Sequence, residues 1–159
     1  MTTAPLARIL VIDDNSGVVD ILAAHLRREG YQVSGALTGE DGMKDLILSP
    51  PDLVLLDITL PGETNGIELL KRIRSINPTG RVVVVTGNTD SATAREAFGL
   101  GALAFIGKPF DFAELKRVVA AALRCRPTAR AWTTSVARRT SGSTPRREKS
   151  SSPTVRAIV

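Results

Sequence analysis

The chain has 159 residues, 43% of them apolar, with one cysteine and a formal net charge of +5. That suits one domain with a core and a tail left over; it excludes an intrachain disulfide, and no apolar run approaches the ~18 residues of a spanning helix. The charge is unevenly placed: residues 1–123 hold 12 Lys+Arg and 15 Asp+Glu (−3), whereas residues 124–159 hold 9 and 1 (+8). A mildly acidic body thus carries a short basic tail. The lone Cys125 fits a reducing compartment. The start, "MTTAPLARIL", lacks a basic segment leading into a long apolar one. The expectation is a cytoplasmic protein without a signal peptide.

Taken in chain order, "ARILVID" (7–13) reads as a strand, followed by a helix with Val18, Ile21, Leu22 and Leu26 on one stripe. Gly30 falls where a helix C-cap glycine belongs. "YQVSGA" (31–36) is the next strand, and "GEDGMKDLILS" (39–49) a helix stopped by Pro50 and Pro51. "DLVLLD" (52–57) is a third strand. "NGIELLKRIRSI" (65–76) is a helix with Ile67, Leu70 and Ile73 on its apolar side, ended by Asn77, Pro78 and Gly80. "RVVVVT" (81–86) is a fourth strand, "DSATAREAFGLG" (90–101) a helix, "ALAFIG" (102–107) a fifth strand and "DFAELKRVVAAALR" (111–124) a last helix. Short apolar strands alternating with helices predict an α/β, doubly wound five-stranded parallel sheet with helices on both faces. The tail beyond the last helix offers almost nothing to bury and is expected to be mostly disordered. "ARAW" (129–132) is its one stretch able to extend the helix or dock.

In such a sheet, ligands bind at the carboxyl ends of the strands. There the chain places Asp13 and Asp14 after strand 1, Asp57 after strand 3, Thr86 at the end of strand 4 and Lys108 after strand 5. Two carboxylates ~4 Å apart repel by about 4 kcal/mol at an effective dielectric near 20. Lys108 supplies one compensating charge, and three carboxylates leave room for a hard divalent ion held by oxygen ligands, Mg²⁺ above all. A carboxylate beside Mg²⁺, a lysine and a hydroxyl suits the acceptance of a phosphoryl group.

The motifs "VIDDN" (11–15), "LVLLDITLPG" (53–62), "NG" (65–66), "VVVVTG" (82–87) and "AFIGKPF" (104–110) together resemble the receiver domain of two-component response regulators, over roughly residues 6–124. The resemblance implies a CheY-like, flavodoxin-like fold, and residues 125–159, rich in Ser, Thr, Pro and Arg, are left as the tail. It implies that Asp57 is the phosphoacceptor, served by a sensor histidine kinase or phosphotransfer protein. It also implies that Asp13, Asp14, Asp57 and the Thr59 backbone carbonyl hold Mg²⁺. Lys108 and Thr86 would bind the phosphoryl group, Phe105 would be an aromatic switch, and the bond before Pro109 would be cis. Gly87 matches a position where a small residue leaves the acceptor accessible. Two features are expected to depart from the common pattern: the loop "PGETNG" (61–66) looks one residue longer, and no output domain is expected to follow. The expected function is a single-domain response regulator, not an enzyme on outside substrates, whose partner-binding surface (90–124) switches on phosphorylation. The alternatives are a phosphorelay intermediate, a phosphate sink without an output partner, or a regulator whose basic tail contacts nucleic acid.

Other readings compete at single residues. Asp57 alone is also a strand-end residue capping a turn, and Phe105 alone is also a core aromatic. His25 lacks the neighbours of a kinase phosphodonor and reads as a helix-surface residue. Asp20, Glu29, Glu40 and Asp41 read as solvated, and Cys125 as without a role. A haloacid-dehalogenase-type phosphatase wants an aspartate two residues after its nucleophile, where this chain has Thr59. A helix-turn-helix factor needs helices that the tail cannot build.

Overall fold

The computed structural model describes residues 4–62 and 65–125. Strands and helices alternate: β1 (Arg8–Ile12), α1 (Ser16–Arg28), β2 (Gln32–Ala36), α2 (Gly39–Leu48), β3 (Leu53–Leu56), α3 (Gly66–Ile76), β4 (Val82–Thr86), α4 (Ser91–Gly99), β5 (Ala104–Gly107) and α5 (Phe112–Arg124). All strands are parallel, in the order β2-β1-β3-β4-β5. This is the five-stranded doubly wound sheet that the apolar rhythm predicts. No helix among the described residues is long and apolar enough to cross a membrane.

The period-2 alternation of each strand divides the core between the sheet's two faces. Leu10 and Ile12 of β1, Val54 and Leu56 of β3, and Val82 and Val84 of β4 pack under α2, α3 and α4. Their neighbours Ile9, Val11, Leu53, Leu55, Val83 and Val85 pack under α1 and α5. Each is almost fully buried, a gain of about 1.5–3 kcal/mol per side chain over exposure. The edge strands differ. In β2 only Val33 and Ala36 are buried, and β5 is half-exposed along most of its length, because helices cover the outer strands incompletely.

Every helix opens on a side chain that caps it: Asn15, Thr38, Asn65, Asp90 and Asp111 each accept a backbone N–H of the first turn, worth ~1 kcal/mol apiece. Helix α1 closes at Gly30, as the sequence predicts. Gly30 has φ 96°, and its N–H donates to Arg27 while that of Tyr31 donates to Leu26, a Schellman turn that a Cβ would strain. Gly101 (φ 88°) closes α4 in the same way, through bonds to Phe98 and Ala97.

Two expectations need correction, and one gains a detail. Ile21 is 51% exposed; the buried stripe of α1 is Val19, Leu22, Ala23 and Leu26. His25 is no plain surface residue, since its ring stacks on Phe112 of α5 with centroids 3.6 Å apart. Glu29 and Glu40 are exposed, as expected, and each also pairs across the surface, with Lys116 and Arg72, at 2.7 Å. The expectations for 126–159, and for the loop at Glu63 and Thr64, lie outside the described residues.

Candidate functional site

The strand ends build the site. The β ladder runs one residue beyond β1 and β3: the Asp13 N–H donates to Ala36 (3.1 Å) and the Asp57 N–H to Ile12 (2.9 Å). The two acids therefore stand on neighbouring strands at one sheet edge, exposed by only 2% and 3%. Lys108 follows β5 and is tied back to β4 by its N–H to the Thr86 carbonyl (2.8 Å). The Lys108–Pro109 bond is cis. The ammonium reaches across the sheet edge and donates to Oδ2 of Asp13 and, at 3.0 Å, to Oδ2 of Asp57.

The second oxygen of each acid is also engaged. Oδ1 of Asp13 accepts the Asn15 N–H at 2.9 Å. Oδ1 of Asp57 accepts both the Thr59 N–H (2.8 Å) and the Thr59 hydroxyl (2.7 Å). Both are two-residue turns, Asp-x-Asn and Asp-x-Thr, of the kind short acids make with their own backbone. The amide contacts were thus legible in the spacing. The Thr59 hydroxyl, which the sequence reading did not assign, was signalled by nothing but its type.

These bonds separate the two acids electrostatically. Burial pushes Asp57 up, but the Thr59 hydroxyl and amide and the Lys108 ammonium together hold it below the usual carboxylate range. Asp13 has fewer donors, so burial prevails and its carboxyl lies above that range. Burial lowers Lys108, yet the hydrogen bonds and charges of Asp13 and Asp57 outweigh it and raise the ammonium above its ordinary value. Asp57 is accordingly the better-stabilised anion of the buried pair.

Asp14 is exposed, and carboxylate oxygens of Asp13, Asp14 and Asp57 all lie within 4.8 Å of one another. Three negative charges against Lys108 leave a net −2, with oxygen donors alone. That donor set fits a hard divalent ion such as Mg²⁺. The Thr59 carbonyl accepts no hydrogen bond from a described residue.

Thr86 is fully buried. Its Oγ1 accepts the Asn88 N–H at 3.2 Å and donates to no described residue, so its proton is unspent. The register pairs Thr86 with Gly107 and Val84 with Phe105. Phe105, half-buried, packs on the α3 and α4 face, the face to which the alternation of β4 assigns Thr86. Gly87 is exposed and a Cβ there would meet nothing within 4 Å. Gly66, by contrast, admits no side chain: a Cβ would lie 2.1 Å from the Ile58 Cα and 2.5 Å from the Asp57 carbonyl oxygen. Its N–H donates to the Ile58 carbonyl at 3.2 Å, so the start of α3 lies directly against the loop that carries Asp57.

Comparison with known proteins gives a consistent result. Residues 9–120 match the family model for the response regulator receiver domain. The chain is similar to sporulation initiation phosphotransferase F of Bacillus subtilis, 38% identical over 112 residues that cover 70% of this chain and 90% of that protein. It is also 38% identical over 115 residues to the transcriptional regulatory protein ZraR of Salmonella typhimurium, covering 72% of this chain and 26% of ZraR, about a quarter of its length. Among solved structures, a CheY-like response regulator receiver domain protein from Methanospirillum hungatei aligns with TM-score 0.71 at 31% identity over 74% of this chain and 94% of that one. The receiver domain of NtrX from Brucella abortus aligns with TM-score 0.71 at 34% identity over 74% and 99%.

Proposed function

The chain belongs to the response regulator receiver family, and we propose that it is a single-domain response regulator, with residues 6–124 as the receiver and Asp57 as phosphoacceptor. Receiver domains of two-component systems work with histidine kinases or phosphotransfer proteins, and one of these is the proposed donor here. The observation that carries the reading is the set of donors on each acid: three hydrogen bonds reach the Asp57 carboxylate and two the Asp13 carboxylate. Asp57 is held ionised by the Thr59 hydroxyl and amide and by Lys108, as a nucleophile at neutral pH must be.

In the proposed reaction an Asp57 oxygen attacks phosphorus, and the bond from phosphorus to the donor breaks, its electron pair leaving with the donor. Lys108, already on the Asp57 carboxylate, follows the new charge onto a phosphoryl oxygen. The unspent Thr86 proton is donated to another. The transfer adds about −1.5 to −2 charge, and drawing Thr86 inward opens the sheet face on which Phe105 packs. The surface of residues 90–124 then differs between the two states, and a partner selects one of them. Asp13, Asp14, Asp57 and the Thr59 carbonyl would hold Mg²⁺; when bound, the ion supplies charge neutralisation for the transferring oxygens. On this reading the protein catalyses only its own phosphorylation and dephosphorylation, in the cytoplasm.

A second reading, a phosphorelay intermediate, is favoured by one observation: the chain covers 90% of a relative whose name is that of a phosphotransferase. Both readings need the same acceptor. Incubation with acetyl phosphate and Mg²⁺ is expected to add one phosphoryl mass to the intact protein, and Asp57→Asn or EDTA to abolish the addition. Full labelling of Asp57→Asn rejects the assignment.

A further inference from the structure

At the opposite, amino-terminal edge of the sheet lies an open groove of about 500 Å³ that phosphoryl chemistry does not use. Its apolar lining includes Leu6, Ala120 and Leu123. Leu6 is 70% exposed, a large apolar side chain left in water at the side of a concave surface. Asp52, Arg81 and Arg124 add charge. One Asp52 carboxylate oxygen accepts the Arg8 N–H at 2.8 Å; the other takes no hydrogen bond from a described residue. Arg81 donates through Nε to the Cys125 carbonyl at 2.8 Å, while Arg124 has no partner among the described residues. The groove therefore offers an apolar surface, one unspent acceptor and an unspent guanidinium.

The course of the chain names an occupant. Arg124 lines the groove and is the last residue of α5, and Arg81, also lining it, holds the carbonyl of the next residue, Cys125. The segment from 126 onward thus leaves from the groove itself. The first large apolar side chain in that segment is Trp132, the sole tryptophan of the chain and seven residues beyond Cys125. Seven residues reach at most ~24 Å, ample to return to a groove whose rim is the point of departure.

We propose that the groove is the docking site of this chain's own segment 126–134, with the Trp132 indole seated in it. An indole needs three things from a site: apolar contact for 150–250 Å² of ring surface, an acceptor for its N–H, and, at best, a cation on its face. Leu6 with Leu123, Asp52, and Arg124 answer them in turn. Arg126 and Arg130 repel Arg81 and Arg124, so apolar contact rather than charge holds the segment, and added salt, which screens that repulsion, tightens the docking. The segment then covers the pole away from Asp57 and leaves the acidic pocket open.

The sole tryptophan makes the test specific. In the full chain, Trp132 emission is expected to be blue-shifted from that of a free peptide of residues 126–137, and its quenching by acrylamide several-fold weaker. Both are expected to be independent of protein concentration and undiminished by salt. Leu6→Lys and Ala120→Lys, the first at a solvent-exposed position and so without cost to folding, are expected to return emission and quenching to the peptide's values. Ala121→Lys, on the exposed side of α5, is expected to leave them unchanged. Peptide-like fluorescence in the wild-type chain, indifference to both groove substitutions, or loss of the shift in salt overturns the proposal. So does a shift that grows with concentration, since the occupant is then a second copy. Phosphorylation of Asp57 is independent of either result.

Discussion

Lys108 is the residue on which the acidic pocket most depends. It is the cation between two buried carboxylates, and its side chain keeps only 20% of its surface in water. Removing one partner of a fully buried pair costs about 3–5 kcal/mol; here, with water at the rim, about 2–3 kcal/mol is expected for Lys108→Met in EDTA. The pH dependence has a definite sign. Lys108 is raised by Asp13 and Asp57 against the lowering effect of burial, so its contribution is complete below its unfolded pKa and is lost as pH rises through the higher folded one. Asp57 is lowered, so its contribution is present above its unfolded pKa and is lost as pH falls through the folded one. Urea denaturation is therefore expected to show the largest gap between wild type and Lys108→Met near neutral pH. The gap narrows on acidification, as Asp13, already raised by burial, takes up a proton. A gap that widens toward acid contradicts this account of the pocket. The charged residues of the site were legible because each follows an apolar strand and all of them fall at the same end of the sheet. The Thr59 hydroxyl was not, because a threonine two residues past a strand end can point to solvent as readily as inward.

At the scale of elements, the contact between α3 and the β3–α3 loop sets the position of Asp57. Gly66→Ala places a methyl within van der Waals overlap of backbone, not of a flexible side chain, so the helix start must move. A loss of about 1–3 kcal/mol is expected, as for other overpacked sites, with acetyl-phosphate labelling slowed at least tenfold (~1.4 kcal/mol of barrier). Gly87→Ala, where a methyl meets open space, is expected to change stability by less than ~0.5 kcal/mol. Wild-type stability and labelling in Gly66→Ala reject the positional role. Element order and sheet class could be read from sequence because strand runs, Gly30 and the Pro50–Pro51 stop are local signals. The buried stripe of α1 could not. Val18 with Ile21 and Val19 with Ala23 flank Leu22 about equally well, and the choice is made by β2. There Gly35 lies so close that a Cβ would stand 2.3 Å from a Val19 methyl, so the helix presses down where the strand is smallest. The stacking of His25 on Phe112 joins residues on two helices far apart in sequence, which no local pattern encodes.

For the molecule as a whole, the proposed switch runs across the sheet from the acidic pocket to the surface of 90–124. Adding beryllofluoride, a phosphoryl mimic, is expected to shift amide resonances first around Asp13, Asp57 and Lys108 and then on α4, β5 and the start of α5. Changes confined to the pocket and α1 show that the output face lies elsewhere. Removing residues 127–159 is expected to leave labelling of Asp57 intact, because every group bonded to the Asp13, Asp57 and Lys108 cluster lies between Asp13 and Lys108. The groove that holds Leu6 beside Leu123 and Arg124 has an architectural corollary. The first and last parts of the described domain meet at one pole, and the acidic pocket occupies the other. The domain is thus built like a plug on a short cord: it can be spliced between two other modules, or have its ends joined and be reopened elsewhere, without either tether crossing the acidic pocket.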